Sequence, residues 1–181
     1  SAQVISAVQT IISRSTDPVD KALISITKIN AGTAYNVIDD QVKMGGTIRT
    51  FKKETRSYIE KRLGELCKGI AEAHGAEIKI QFDLVNKYPP TINSKKESIF
   101  ASNVAKDLVG EDKVITDIDP SMGGEDFSYL LEEKPGTYLY LGQGDENHKA
   151  HLHTTKYDFN DNLLPVGVNF WVDLVKRYFS K

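Results

Sequence analysis

A chain of 181 residues with 40% hydrophobic content can bury one good core or two small ones, which excludes an intrinsically disordered polypeptide. Lys plus Arg number 23 against 25 Asp plus Glu, and no basic block or stripe stands out, so a nucleic-acid backbone is offered nothing to hold. The single cysteine, Cys67, excludes a disulfide framework and a cysteine-rich zinc site and points to a reducing, cytoplasmic setting, and no stretch reads as a signal peptide or membrane span.

The sequence opens at Ser1 without an initiator methionine and runs straight into a helical pattern, the expectation for a piece of something longer. Val4, Ile5, Val8, Ile11 and Ile12 recur at helical spacing until Asp17 and Pro18 break the pattern, predicting a helix over residues 1–15. Residues 22–29 are β-rich and residues 42–51 alternate, which predicts two strands joined by a loop containing Ala31, Gly32 and Asn36. Ile59, Leu63, Leu66 and Ile70 then mark a long amphipathic helix with Gly75 as its C-terminal cap, and Cys67 borders that stripe as a buried thiol. Residues 76–84 alternate apolar with polar side chains and give the cleanest predicted strand. Helix, strand, strand, helix, strand is a ferredoxin-like βαββαβ unit lacking its first strand.

Tyr88, Pro89 and Pro90 form a stiff junction, so the expected domains are residues 1–90 and 91–181. Ser94 and Glu97 predict a capping box opening a helix that carries Phe100, Val104 and Leu108. A strand near residues 114–118, a short helix after Gly124, a strand over 138–141, a polar loop and a final helix through Val168, Trp171 and Val175 complete a second, also incomplete, α/β layer. No internal repeat or low-complexity tract is present.

Three of the four histidines, His148, His151 and His153, fall within six residues, and the last two share a side if that stretch is extended. Metal binding and a solvated loop with incidental histidines both remain open on this pattern. Glu125 and Asp126 follow Met122, Gly123 and Gly124, where glycines permit close approach of a ligand; the same acids also suit the first turn of a helix. Asn36 and Arg49 are each suited to a carboxylate, Arg49 through a planar two-pronged contact, though taken alone each is more often a surface residue. There is no Gly-x-Ser-x-Gly elbow, no Walker loop and no proper dinucleotide fingerprint around Gly142 and Gly144, which sets aside serine hydrolases and nucleotide enzymes.

Residues 31–49 (AGTAYNVIDDQVKMGGTIR), 121–129 (SMGGEDFSY) and 152–161 (LHTTKYDFND) occur in the order of one family. Over essentially its whole length the chain resembles the C-terminal portion of the aminoacylase, hippurate hydrolase and auxin-conjugate hydrolase group of metallopeptidase-like amidohydrolases. The resemblance implies a ferredoxin-like lid and dimerisation domain, followed by the returning part of an α/β metallopeptidase-like catalytic domain. For the intact enzyme it implies two divalent metals, zinc or else manganese, cobalt or nickel. They would activate a bridging water that attacks the amide of an N-acyl amino acid or peptide-like substrate.

Position by position, His153 matches the last metal ligand, whereas His148 and His151 match nothing. Asn36 and Arg49 match the substrate-contacting pair on the lid, and Gly123, Gly124 and Glu125 match the segment beside the substrate pocket. The remaining ligands, the general base and the lid histidine lie upstream in the family, so the resemblance places no catalytic residue within this chain and predicts no tightly bound metal. Asp39 and Thr155 stand where the family usually has proline, which implies local loop variation. The implied partners are a small substrate and a second copy paired through the lid. The competing expectation is a non-catalytic fragment or dimerisation module without turnover.

Overall fold

Val4, Val8 and Ile11 lie one turn apart on α1 (Ala2–Thr10) and the single π-helical turn that continues it (Ile11–Ser15), and all three are buried. That stripe rests on the inward face of a hairpin, β1 (Ala22–Asn30) and β2 (Lys43–Thr50), and on α2 (Lys53–Ala73). The strands pair antiparallel, with Ala22 opposite Thr50 and Ile24 opposite Ile48, and a bulge falls between Ile26 and Lys28. Ile24 and Ile48 therefore face the core together with Ile59 and Cys67 of α2, while Arg49 faces the other way and is exposed. Asp20 ties the entry of β1 to the start of α2 by accepting from Lys52 Nζ and, at 2.7 Å, from Thr55 Oγ1. At the far end, Gly75 takes φ +60°; its N–H reaches the Glu72 carbonyl and the Ala76 N–H reaches Ala71, the paired bonds that stop a helix.

This computed structural model describes residues 1–82 and 88–180. The chain divides into two units, residues 1–90 with 121–125 and residues 91–120 with 126–181. In the second, α3 (Lys95–Val109) packs with α5 (Leu164–Phe179) through an edge-to-face contact of Phe100 and Tyr178 at 6.1 Å and a bond from Arg177 Nη1 to Asp107 Oδ2 at 2.5 Å. A short helix, α4 (Phe127–Glu133), follows the glycine-rich segment. Among the described residues, no helix is long and apolar enough to cross a membrane.

The result is a mixed α/β chain whose sheet, among the described residues, has two strands. Two expectations change, in strand pairing and in helix capping. Residues 76–82, 114–118 and 138–141 form no ladder, because alternation fixes which side chains turn inward but a strand also needs a hydrogen-bonded neighbour. Ile78 and Ile80 do turn onto the first core as their alternation requires, and residues 83 and 84 of that predicted strand lie outside the described residues. Around residue 138 the role of a neighbouring strand is taken by one side chain: Asn93 accepts from the Tyr138 N–H at 2.7 Å and donates to its carbonyl at 2.9 Å. The capping box does not close, since Ser94 Oγ accepts from the Gly136 N–H at 3.2 Å and not from its own helix. Finally, the stripe of Val168, Trp171 and Val175 on α5 is at least half exposed.

Candidate functional site

The long arm of Arg49 leaves the outer face of β2 and donates from Nη1 to the Met122 carbonyl at 2.5 Å, closing a contact between residues 73 apart in sequence. The segment it reaches is itself shaped. The Gly123 N–H turns back to Ser121 Oγ at 3.1 Å, and Gly124 lies so close to the Tyr88 ring that a Cβ there would sit 2.9 Å from Cδ2. Arg49 and the Gly123–Gly124–Glu125 segment are thus brought together in the first unit, with both glycines exposed and Glu125 half-buried.

Asn36 is carried on the exposed loop between β1 and β2. Asp39 closes that loop by accepting from the Gly32 N–H at 2.8 Å and the Thr33 hydroxyl at 3.2 Å, with Gly32 at φ +82°. Asp39 is therefore the fastening of this loop. Among the described residues no hydrogen bond joins the Asn36 side chain to Arg49 or to residues 121–125.

His153 belongs to the second unit, on an exposed loop, with its backbone at φ +63°. Its imidazole makes no hydrogen bond among the described residues. His148, in contrast, is committed: its Nδ1 and its N–H both reach Asp145 Oδ1 at 2.8 Å. That bond first, then the amides of Asn147 and His148, hold the Asp145 carboxyl below its ordinary value. His151 only lends its carbonyl to the Thr154 hydroxyl at 2.9 Å. The three histidines do not converge, and among the described residues no three His, Cys, Asp or Glu side chains stand where they could hold a metal ion.

Two sets of residues were not singled out from sequence. Tyr88 reads as part of a stiff junction, and only the depth of its packing against Gly124 marks it. Gln143, Asp145 and Asn160 carry one faint signal, an aspartate two residues before an asparagine, the pattern of an Asx turn.

Residues 3–177 match the family described as Peptidase family M20/M25/M40. The chain belongs to that family. Hippurate hydrolase of Campylobacter jejuni is 37% identical over 176 residues, covering 97% of this chain and 45% of that protein. IAA-amino acid hydrolase ILR1-like 2 of Arabidopsis thaliana is 33% identical over 181 residues, covering 98% of this chain and 40% of the plant protein. The chain thus spans less than half the length of these curated relatives. The YXEP protein of Bacillus subtilis, described as a dinuclear metal binding peptidase from the M20 family, superposes with a TM-score of 0.75 at 29% identity, over 96% of this chain and 43% of its own. A protein from methicillin-resistant Staphylococcus aureus shares the fold with a TM-score of 0.80 at 24% identity, over 98% of this chain and 45% of its own.

A dinuclear centre needs several converging donors, and among the described residues the unengaged imidazoles of His151 and His153 join no such set. By that donor set they do not fit a two-metal centre on their own.

Proposed function

We propose that this chain is the substrate-gripping part of an amidohydrolase that cleaves N-acyl amino acids. The observation that carries the reading is the bond from Arg49 to the Met122 carbonyl, which holds a guanidinium beside an exposed pair of glycines. An N-acyl amino acid presents a carboxylate, which a guanidinium grips through parallel N–H donors, and a planar amide, which can approach the exposed backbone at Gly123. Asn36 offers both a donor and an acceptor to that amide. Relatives named hippurate hydrolase, IAA-amino acid hydrolase and N-acetylcysteine deacetylase support the substrate class.

In this reading residues 1–90 act as a ferredoxin-like lid through which two copies pair, and residues 91–181 as the returning part of the catalytic domain. The setting is cytoplasmic, in keeping with a single cysteine. His153 contributes one ligand to a pair of zinc or similar divalent ions, and the other ligands and the general base come from outside this chain. By itself the chain binds zinc weakly and turns nothing over.

N-benzoylglycine titrated into the isotope-labelled chain tests the reading. Saturable shifts are expected at the Arg49 side-chain N–H and the Gly123 and Gly124 amides, and Arg49→Ala should weaken binding by roughly tenfold or more. Equal affinity in the variant would remove Arg49 from the site and the proposal with it.

A further inference from the structure

His153 is the one non-glycine residue at positive φ among the described residues, at φ +63°. Histidine enters that left-handed region more readily than most side chains, but the conformation still costs energy and persists only where the surroundings impose it. The surroundings here consist of side chains that staple the two ends of one loop. From the first end, Gln143 donates through Nε2 to the Asp158 carbonyl at 3.1 Å, and its Oε1 accepts from the Tyr157 hydroxyl at 3.2 Å and the Asn160 N–H at 3.4 Å. From the second end, the buried Asn160 side chain donates through Nδ2 to the Gln143 carbonyl at 3.3 Å and to Asp145 Oδ2 at 3.0 Å. The other oxygen of Asp145 collects the amides of Asn147 and His148, each at 2.8 Å. Between the staples, the Tyr157 N–H returns to the Thr154 carbonyl at 3.2 Å, which links the fastened tyrosine to the residue after His153.

We infer that Gln143 and Asn160 are positioning residues: their clasp presets the backbone of His153, so that its imidazole is presented in one direction before anything binds it. The functional sense of this rests on the proposed role of His153. The clasp itself does not. No paired strand holds residues 143–160, so the side-chain bonds substitute for a ladder. Asn160 is 6% exposed, which makes it the part of the loop least able to exchange protein partners for water.

The test uses the labelled 181-residue chain. A residue at positive φ has a short distance between its own Hα and amide hydrogen, so His153 should give a strong intraresidue Hα–HN cross-peak. In Gln143→Ala that cross-peak should weaken and the Asn160 amide should exchange on the order of tenfold faster, with the amides of α3 and α5 unchanged. Asn160→Asp should open the loop by setting a carboxylate against Asp145. Adding Asp145→Asn restores a donor facing an acceptor at that contact, though not the bond to the Gln143 carbonyl, and should close the loop in part. If Gln143→Ala also loosens α3 and α5, Tyr157→Phe, which deletes one hydroxyl, decides by the same two readouts. An unchanged cross-peak and unchanged exchange in the opened variants, or a double variant no better than Asn160→Asp alone, would overturn the inference. Zinc-induced shifts of the His153 imidazole report separately on the proposed ligand role. That role can therefore fail while the backbone readouts stand, and the reverse.

Discussion

Replacing Gly124 by alanine perturbs one contact whose geometry is fixed. The new Cβ would lie 2.9 Å from Tyr88 Cδ2, whereas carbon atoms rest at about 3.5–4.0 Å. The ring or the segment must therefore move by at least about 0.6 Å. In a close-packed core such overpacking costs about 1–3 kcal/mol, and because Gly124 is exposed and Tyr88 half-buried the low end of that range applies. If the segment gives way, the 2.5 Å bond from Arg49 to the Met122 carbonyl is weakened as well, a further loss of about 0.5–1.5 kcal/mol. Against these stands a gain of about 0.4–1 kcal/mol from restricting the unfolded chain, so the net destabilisation is about 1 kcal/mol. Urea unfolding read by circular dichroism measures it. Gly123→Ala is the internal control, because a Cβ there meets nothing nearer than Ser121 Oγ at 3.4 Å. Combining Gly124→Ala with Tyr88→Ala should abolish most of the loss relative to Tyr88→Ala alone. Equal costs at Gly123 and Gly124, or no coupling to Tyr88, would refute the reasoning.

Ile59 has no exposed surface and sits among Val4, Val8, Ile11 and Ile24, so Ile59→Ala should lower the unfolding free energy by about 2–5 kcal/mol. Burial pushes the Cys67 thiol up, and at 4% exposure it should react with Ellman's reagent far more slowly in the native chain than in urea. The Asp145 carboxyl is held below its ordinary value chiefly by the His148 donor. The folded state favours the carboxylate, so this contribution is complete above the ordinary carboxylate range and is lost as pH falls through the lowered value. A carboxyl carbon titration should place the Asp145 midpoint lower in the folded chain than in urea.

Side-chain period carried most of what was legible beforehand. The helices and even the inward turn of Ile78 and Ile80 follow from spacing, because period decides which face meets a core, while the hairpin and the Gly75 stop needed residue type as well. Pairing is a different quantity, set by backbone groups far away in sequence, and nothing in the residues 114–118 or 138–141 specifies a neighbour. The Ser94 hydroxyl shows the same limit at one atom: its type predicts a cap, and competition from the Gly136 N–H redirects it. Of the candidate site, Arg49 and the glycine-rich segment were each nameable by residue type, yet their meeting is tertiary. Beyond the faint Asx-turn pattern at Asp145, the clasp of Gln143 and Asn160 left no trace in the sequence, because amide side chains carry no periodic signature.

The tether between Arg49 and Met122 also imposes an order of events on a growing polypeptide. The helical and hairpin layer of residues 1–82 draws its core from residues close in sequence, whereas its guanidinium stays unanchored until synthesis has passed residue 122 and that segment has doubled back. A chain stalled shortly after Pro90 would already contain the core partners of Ile11, Ile24 and Ile59, while its arginine would lack the carbonyl it is tied to.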